Sequence, residues 1–191
     1  MSKVTIIGGG NMGKAISELV TKGGNTVEIL TRSDASTAVT GEIVVLAVPY
    51  GALGEIVAQR GDELAGKVVV DITNPLDFQT FDGLVVPADG SAAAELAAKL
   101  PRAKVVKAFN TNFAATLGTG KVGENTTTVL VAGDDADAKQ GVVSFVKAAG
   151  LNALDVGSLK RARELEAIGF TQLVLAGSEQ IGWTGGFAVV A

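Results

Sequence analysis

The β-branched run Val4-Thr5-Ile6-Ile7 breaks into Gly8-Gly9-Gly10-Asn11-Met12-Gly13 and resumes as an amphipathic stretch, all at the head of the chain. A strand that runs through Gly8-x-Gly10-x-x-Gly13 into a helix is the fingerprint of a dinucleotide-binding βαβ unit, and the glycines carry that meaning only in this context. Gly8 permits the tight turn, Gly10 lets the backbone approach a pyrophosphate, and Gly13 lets the helix pack closely on the strand. The helix N-terminus would meet the phosphates with unpaired N–H groups and the positive end of its dipole. A glycine turn of purely structural use is the competing reading.

The rest of the chain continues the alternation. Over residues 11–22, Met12, Ala15, Ile16, Leu19 and Val20 share one helical face, and Gly23-Gly24 stops the helix. Residues 26–30 read as a second strand. Residues 42–48 form a nearly continuous buried strand, followed by Pro49-Tyr50-Gly51 and a helix to about Arg60; 67–72 is the next strand, ending in Thr73-Asn74-Pro75-Leu76. Residues 78–90 are irregular and read as a cover, after which Ser91 caps an Ala-rich helix that Pro101 ends. Further strands are predicted at 104–109, 127–132 and 153–156, with a helix after Gly133-Asp134-Asp135 and a last helix after Gly157-Ser158. Strands alternating with helices predict an α/β fold, a doubly wound and mostly parallel Rossmann sheet extended by C-terminal strands and helices. With no linker or repeat in view, residues 1–191 are expected to form one dinucleotide-binding domain, its core over about 1–120 and an extension over about 121–191 that completes the sheet and a second pocket.

The end of the second strand selects the nucleotide. NAD enzymes place an acidic side chain there to hold the ribose 2′-hydroxyl, whereas this chain has Thr31-Arg32-Ser33. Two hydroxyls and a planar, permanently charged guanidinium suit a 2′-phosphate, so NADP(H) is expected. The alternative leaves Arg32 as a solvated loop charge and gives the ribose to Asp34, just beyond. Ligands of doubly wound sheets lie past the carboxyl ends of the strands, which would put both proline-containing loops beside the nicotinamide. The expected cofactor-binding residues are therefore Gly8, Gly10, Asn11, Met12, Gly13, Thr31, Arg32 and Ser33, with Val48, Pro49 and Asn74 near the nicotinamide. Glu28, inside the second strand, has no evident place.

The chain has no cysteine and no histidine. Disulfides, thiolate nucleophiles, Cys/His metal sites and every mechanism with a histidine acid, base or haem ligand are excluded. The net charge of −4 and a longest basic run of Lys160-Arg161-Ala162-Arg163 argue against nucleic-acid or membrane-surface partners. No signal-peptide pattern precedes the first strand and no apolar run approaches the ~20 residues of a spanning helix, so a soluble, cytoplasmic protein is expected. The only tyrosine is Tyr50 and position 54 is glycine, which rules out the Tyr-x-x-x-Lys chemistry of short-chain dehydrogenases.

In series, Ile7-Gly-Gly-Gly-Asn-Met-Gly13, Thr31-Arg32-Ser33, Val48-Pro49-Tyr50, Val105-Val-Lys-Ala-Phe-Asn-Thr111, Val131-Ala-Gly-Asp-Asp135 and Asp155-Val-Gly-Ser-Leu159 resemble the NADPH-dependent reductases of the deazaflavin coenzyme F420. They also resemble the related cytosolic reductase domain of the six-transmembrane metalloreductases. The resemblance implies hydride transfer between NADP(H) and a flavin-like acceptor, F420 or FMN/FAD, seated across the carboxyl edge of the sheet. Where the F420 reductases carry a histidine-containing loop this chain has Phe109-Asn110-Thr111-Asn112, a run more similar to the metalloreductase domain. No catalytic side chain is expected, because hydride transfer between rings needs positioning and exclusion of water rather than an acid or base.

Asn110, Thr111, Gly182, Gly185, Gly186 and Phe187 are the expected acceptor pocket, where small residues admit a flat ring. The tail could equally pack on a neighbouring subunit through Trp183 and Phe187, and a homodimer is expected. A redox sensor that binds NADP(H) without turnover is the alternative function. The glycine turn also resembles pyrroline-5-carboxylate reductases and hydroxyacid dehydrogenases, but both families append a long helical domain, for which residues 121–191 leave little room.

Overall fold

The computed structural model describes residues 2–190. Strands β1 (Lys3–Ile7), β2 (Thr26–Leu30), β3 (Ile43–Leu46), β4 (Val68–Asp71) and β5 (Lys104–Lys107) run parallel. Helices α1 (Asn11–Lys22), α2 (Leu53–Arg60) and α3 (Ala92–Lys99) lie between them in the chain. After a short α4 (Ala114–Thr119) and a two-stranded ribbon of β6 (Lys121–Val122) and β7 (Asn125–Thr126), β8 (Thr128–Gly133) joins the sheet antiparallel to β5. Helix α5 (Ala136–Ala148) then returns the chain to β9 (Asn152–Gly157), parallel to β8, and α6 (Ala162–Gly177) closes the fold. The seven-stranded order is β2-β1-β3-β4-β5-β8-β9. The chain leaves β1 toward one edge and returns beyond it to build β3, so the sheet reverses direction between β1 and β3, the place where such folds hold ligands.

Burial explains why the strands read as unbroken apolar runs. Every residue of β3 is buried, because helices cover both faces of the sheet. On one face Val4, Ile6 and Val45 pack with Ile16 and Val20 of α1 and with Val142 and Val146 of α5. On the other, Ile7, Val44 and Leu46 pack with Leu53 and Ile56 of α2, Leu96 of α3 and Ala162 of α6.

The predicted strands at 42–48, 67–72 and 104–109 each extend past the observed ladder, since the apolar run continues into loops that line the carboxyl edge. The third case has a visible cause. Phe109 has φ 65°, a left-handed conformation that an aromatic residue adopts only when its surroundings impose it. Its buried ring stacks on Phe145, with centroids 6.0 Å apart. The ribbon and α4 have no apolar periodicity and were not legible in the sequence.

Candidate functional site

Gly8 ends β1 at φ 119°, and a Cβ there would collide with the carbonyl oxygen of Ala47 at the end of β3. A Cβ at Gly13 would collide with the Gly8 carbonyl. These two glycines seat α1 against the switch point between β1 and β3. Gly10 differs, because nothing lies within 4 Å of the Cβ it lacks. It is the N-cap of α1, offers no side-chain cap, and is followed by no acidic residue in the first turn. The N-terminal amides of α1 therefore face open space, an arrangement suited to an anion.

Thr31, Arg32 and Ser33 stand exposed at the end of β2, Arg32 and Ser33 in a short 3-10 turn, Arg32–Asp34. Asp34 Oδ2 accepts from Thr31 N (2.8 Å) and Thr31 Oγ1 (2.7 Å). A carboxylate only accepts, so the Thr31 hydroxyl donates to it, and Ser33 Oγ, 2.8 Å away, donates to Thr31 Oγ1. The amide bond from Thr31 and then its hydroxyl hold the Asp34 carboxyl below its usual value. Asp34 is thus occupied in closing the turn. Among the described residues no ion pair engages Arg32.

Three concavities follow the carboxyl edge. A cleft of about 570 Å³ brings Gly8 and Gly10 together with Thr31, Arg32, Val48 and Pro49. Beyond the α1 N-terminus, a second of about 380 Å³ holds Asn11, Met12, Asn74 and Asn110, roofed by Phe113 and Trp183. A third of about 480 Å³ contains Thr111 and Phe187 beside α6. Of the two proline loops expected beside the nicotinamide, Val48-Pro49 lines the first cleft and Asn74 the second. The expected acceptor residues are divided as well, Asn110 in the second cavity and Thr111 with Phe187 in the third. Gly182, Gly185 and Gly186 belong to the tail that spans these two cavities. Trp183 packs on the Phe113 ring, centroids 5.1 Å apart, and Phe187 N donates to Gln172 Oε1 at 3.1 Å, so the tail lies against its own chain.

Asn74 and Asn110 interlock. Asn74 Nδ2 donates to the Asn110 carbonyl (2.9 Å), while Asn110 Nδ2 donates to Asn74 Oδ1 (2.9 Å) and the Leu165 carbonyl (2.8 Å). A side chain at Gly169 of α6 would strike Asn74 Oδ1, so α6 fits directly onto this pair. Beneath it lies an ionic cluster that sequence reasoning missed. Lys107 Nζ donates to Asp71 Oδ2 (2.9 Å), Glu166 Oε1 (2.7 Å) and the Thr73 carbonyl (2.7 Å), and all three charged side chains are fully buried. Glu166 also accepts from Ala92 N (2.9 Å) and Ala93 N (3.3 Å) at the head of α3. Burial pushes the Glu166 carboxyl up, against the pull of the Lys107 ammonium and the Ala92 amide. A signal did exist in the sequence: Asp71 and Lys107 are opposite charges closing two neighbouring apolar runs, and they are register partners.

Tyr50 donates to Glu95 Oε2 at 2.7 Å, and this bond, burial and the surrounding carboxylates push its hydroxyl up to about 12. Among the described residues no cluster of metal-ligating side chains occurs and no helix is long and apolar enough to cross a membrane.

Comparison with known proteins agrees with this architecture. A family model described as "NADP oxidoreductase coenzyme F420-dependent" matches residues 26–75. The F420-dependent NADP reductase of Methanocaldococcus jannaschii is 32% identical over 161 residues, 81% of this chain and 71% of that protein. Metalloreductase STEAP3 of Rattus norvegicus is 31% identical over 181 residues, 87% of this chain but only 36% of that much longer protein. The crystal structure of a putative F420-dependent NADP reductase from Arthrobacter sp. FB24 superposes with a TM-score of 0.85 at 25% identity, covering 100% of both chains.

Proposed function

The chain belongs to the family of F420-dependent NADP reductases and is an NADP-dependent oxidoreductase; from that premise we propose that it passes hydride between NADP(H) and a flavin-like ring, coenzyme F420 in the first instance. The observation that carries this reading is the line of cleft, helix terminus and second cavity along one sheet edge. In it, Thr31, Arg32 and Ser33 take the 2′-phosphate, and the turn from Gly8 through Gly10 to Gly13 presents the α1 amides to the pyrophosphate. Val48 and Pro49 wall the adenosine side, and Asn11, Met12 and Asn74 flank the nicotinamide. The donor set fits such a ligand: a helix N-terminus without a side-chain cap, a guanidinium with no ion pair among the described residues, and open space where a Gly10 side chain would stand.

Asn110, Thr111 and the tail from Gly182 to Phe187 border the acceptor, with Trp183 and Phe113 on the wall of the second cavity. The nicotinamide supplies the hydride chemistry. The protein's part is alignment, for which well-oriented systems gain about 7–11 kcal/mol. No side chain near the second cavity is a free acid or base, and none is required. The similarity to the metalloreductase makes FMN or FAD the second candidate acceptor.

The test is a screen of F420, FMN, FAD and a ferric chelate under NADPH, followed by loss of nicotinamide absorbance. Turnover fastest with F420 is expected. Turnover with flavin alone would move the acceptor to that class, and tight NADPH binding with no turnover would identify a sensor instead.

A further inference from the structure

We propose that Arg60 is a positioning residue that sets the preference for a 2′-phosphorylated dinucleotide by holding the turn that presents Thr31, Arg32 and Ser33. The inference rests on the NADP(H) reading of the first cleft. Arg60 is the last residue of α2, is only 5% exposed, and lines that cleft together with Gly10, Thr31 and Arg32. Its Nη2 donates to the Asp34 carbonyl at 2.7 Å, and its Nη1 to the Thr37 carbonyl at 2.8 Å and to Glu63 Oε1 at 3.3 Å. Glu63 Oε2 in turn accepts from Val39 N at 2.7 Å. Arg60 at the end of α2 and Glu63 in the turn just beyond it thus fasten residues 34–39 at three backbone points. The planar fork of a guanidinium reaches two carbonyls at once, which a single ammonium cannot do in the same geometry.

This bears on the phosphate because, among the described residues, Arg32 has no ion pair anchoring it, so its position is set by the turn it stands on. Loosening the turn adds an ordering cost to every cofactor that needs Arg32 and little to one that does not. Arg60 therefore acts on discrimination. A residue serving the fold alone would weaken NADPH and NADH together.

Dissociation constants for NADPH and NADH, measured by titration of the full chain, test this in wild type, Arg60→Met, Arg60→Lys and Arg32→Ala. Arg60→Met is expected to lose NADPH affinity on the order of tenfold while NADH changes by less than about threefold, and Arg60→Lys to keep part of the preference. If Arg32→Ala lowers the NADPH-to-NADH preference and neither Arg60 variant does, the Arg60 inference is overturned and the cleft reading stands. An unchanged preference in Arg32→Ala overturns both. Should Arg60→Met fail to fold, Arg60→Lys decides: a preference below wild type supports the inference and a wild-type preference overturns it.

Discussion

Gly10 and Gly13 stand three residues apart and should respond in opposite ways to an added side chain. A Cβ at Gly13 meets the Gly8 carbonyl, so Gly13→Ala must displace α1 from the turn and is expected to cost about 1–3 kcal/mol, read as a lower thermal midpoint. Gly10 has φ −74° and open space around it, so Gly10→Val should leave the midpoint nearly unchanged and abolish nucleotide binding. Retained affinity in Gly10→Val would contradict the pyrophosphate assignment. Glu28, without a role on sequence grounds, joins strands to a loop. Its Oε1 accepts from Thr5 Oγ1 and Thr40 Oγ1, each at 2.6 Å, and Lys3 lies 3.5 Å from Oε2. Burial alone would raise this carboxyl, but the two hydroxyls, the Thr40 amide and Lys3 together hold it at about 2, against an ordinary 4.5. A depressed acid stabilises the fold above its unfolded value and loses that contribution as pH falls toward the folded one. Wild type should therefore lose on the order of 1–2 kcal/mol more than Glu28→Gln between about pH 5 and 2, measured by urea unfolding. Parallel pH profiles would refute the assignment.

At the scale of elements, Lys107 connects β5 to β4 through Asp71, to α6 and the head of α3 through Glu166, and to the loop before Asn74 through the Thr73 carbonyl. Removing one member strands two buried carboxylates, so Lys107→Met is expected to destabilise the protein by about 3–5 kcal/mol; a loss under about 1 kcal/mol would show the cluster to be dispensable. The helices that cover the sheet and the central strands were legible because both faces of the sheet are buried and the apolar runs are long, whereas α4 was not. Nor were strand ends. Ala47, Val48, Ile72 and Phe109 stay apolar after the strands stop, since they line the site, and Ala108 stays apolar because it packs in the core. The cluster escaped notice because Glu166 is 95 residues from Asp71 in the numbering, and only the packing of α6 on the β4 and β5 ends brings them together. Arg60 escaped for the same reason, as a helix-terminal arginine looks like any solvated charge until its carbonyl partners are known.

Over the whole molecule, the carboxyl edge is divided by the α1 N-terminus into a cleft that holds Arg32 and a cavity walled by amides and aromatic rings. The first was legible from two short motifs close together in the chain. The second gathers Asn11, Asn74, Asn110 and Trp183 from four separate segments, and no local spacing announces that they meet. The central claim is that these two spaces are the two ends of one path for a hydride. The most direct measurement is mass analysis of reduced F420 after the protein is incubated with NADPH carrying deuterium at the transferring position. Deuterium should pass to the deazaflavin, more slowly in Arg32→Ala at limiting NADPH. Reduced F420 that carries no label from either face of the nicotinamide, or no reduction at all with the nucleotide bound, would contradict the account.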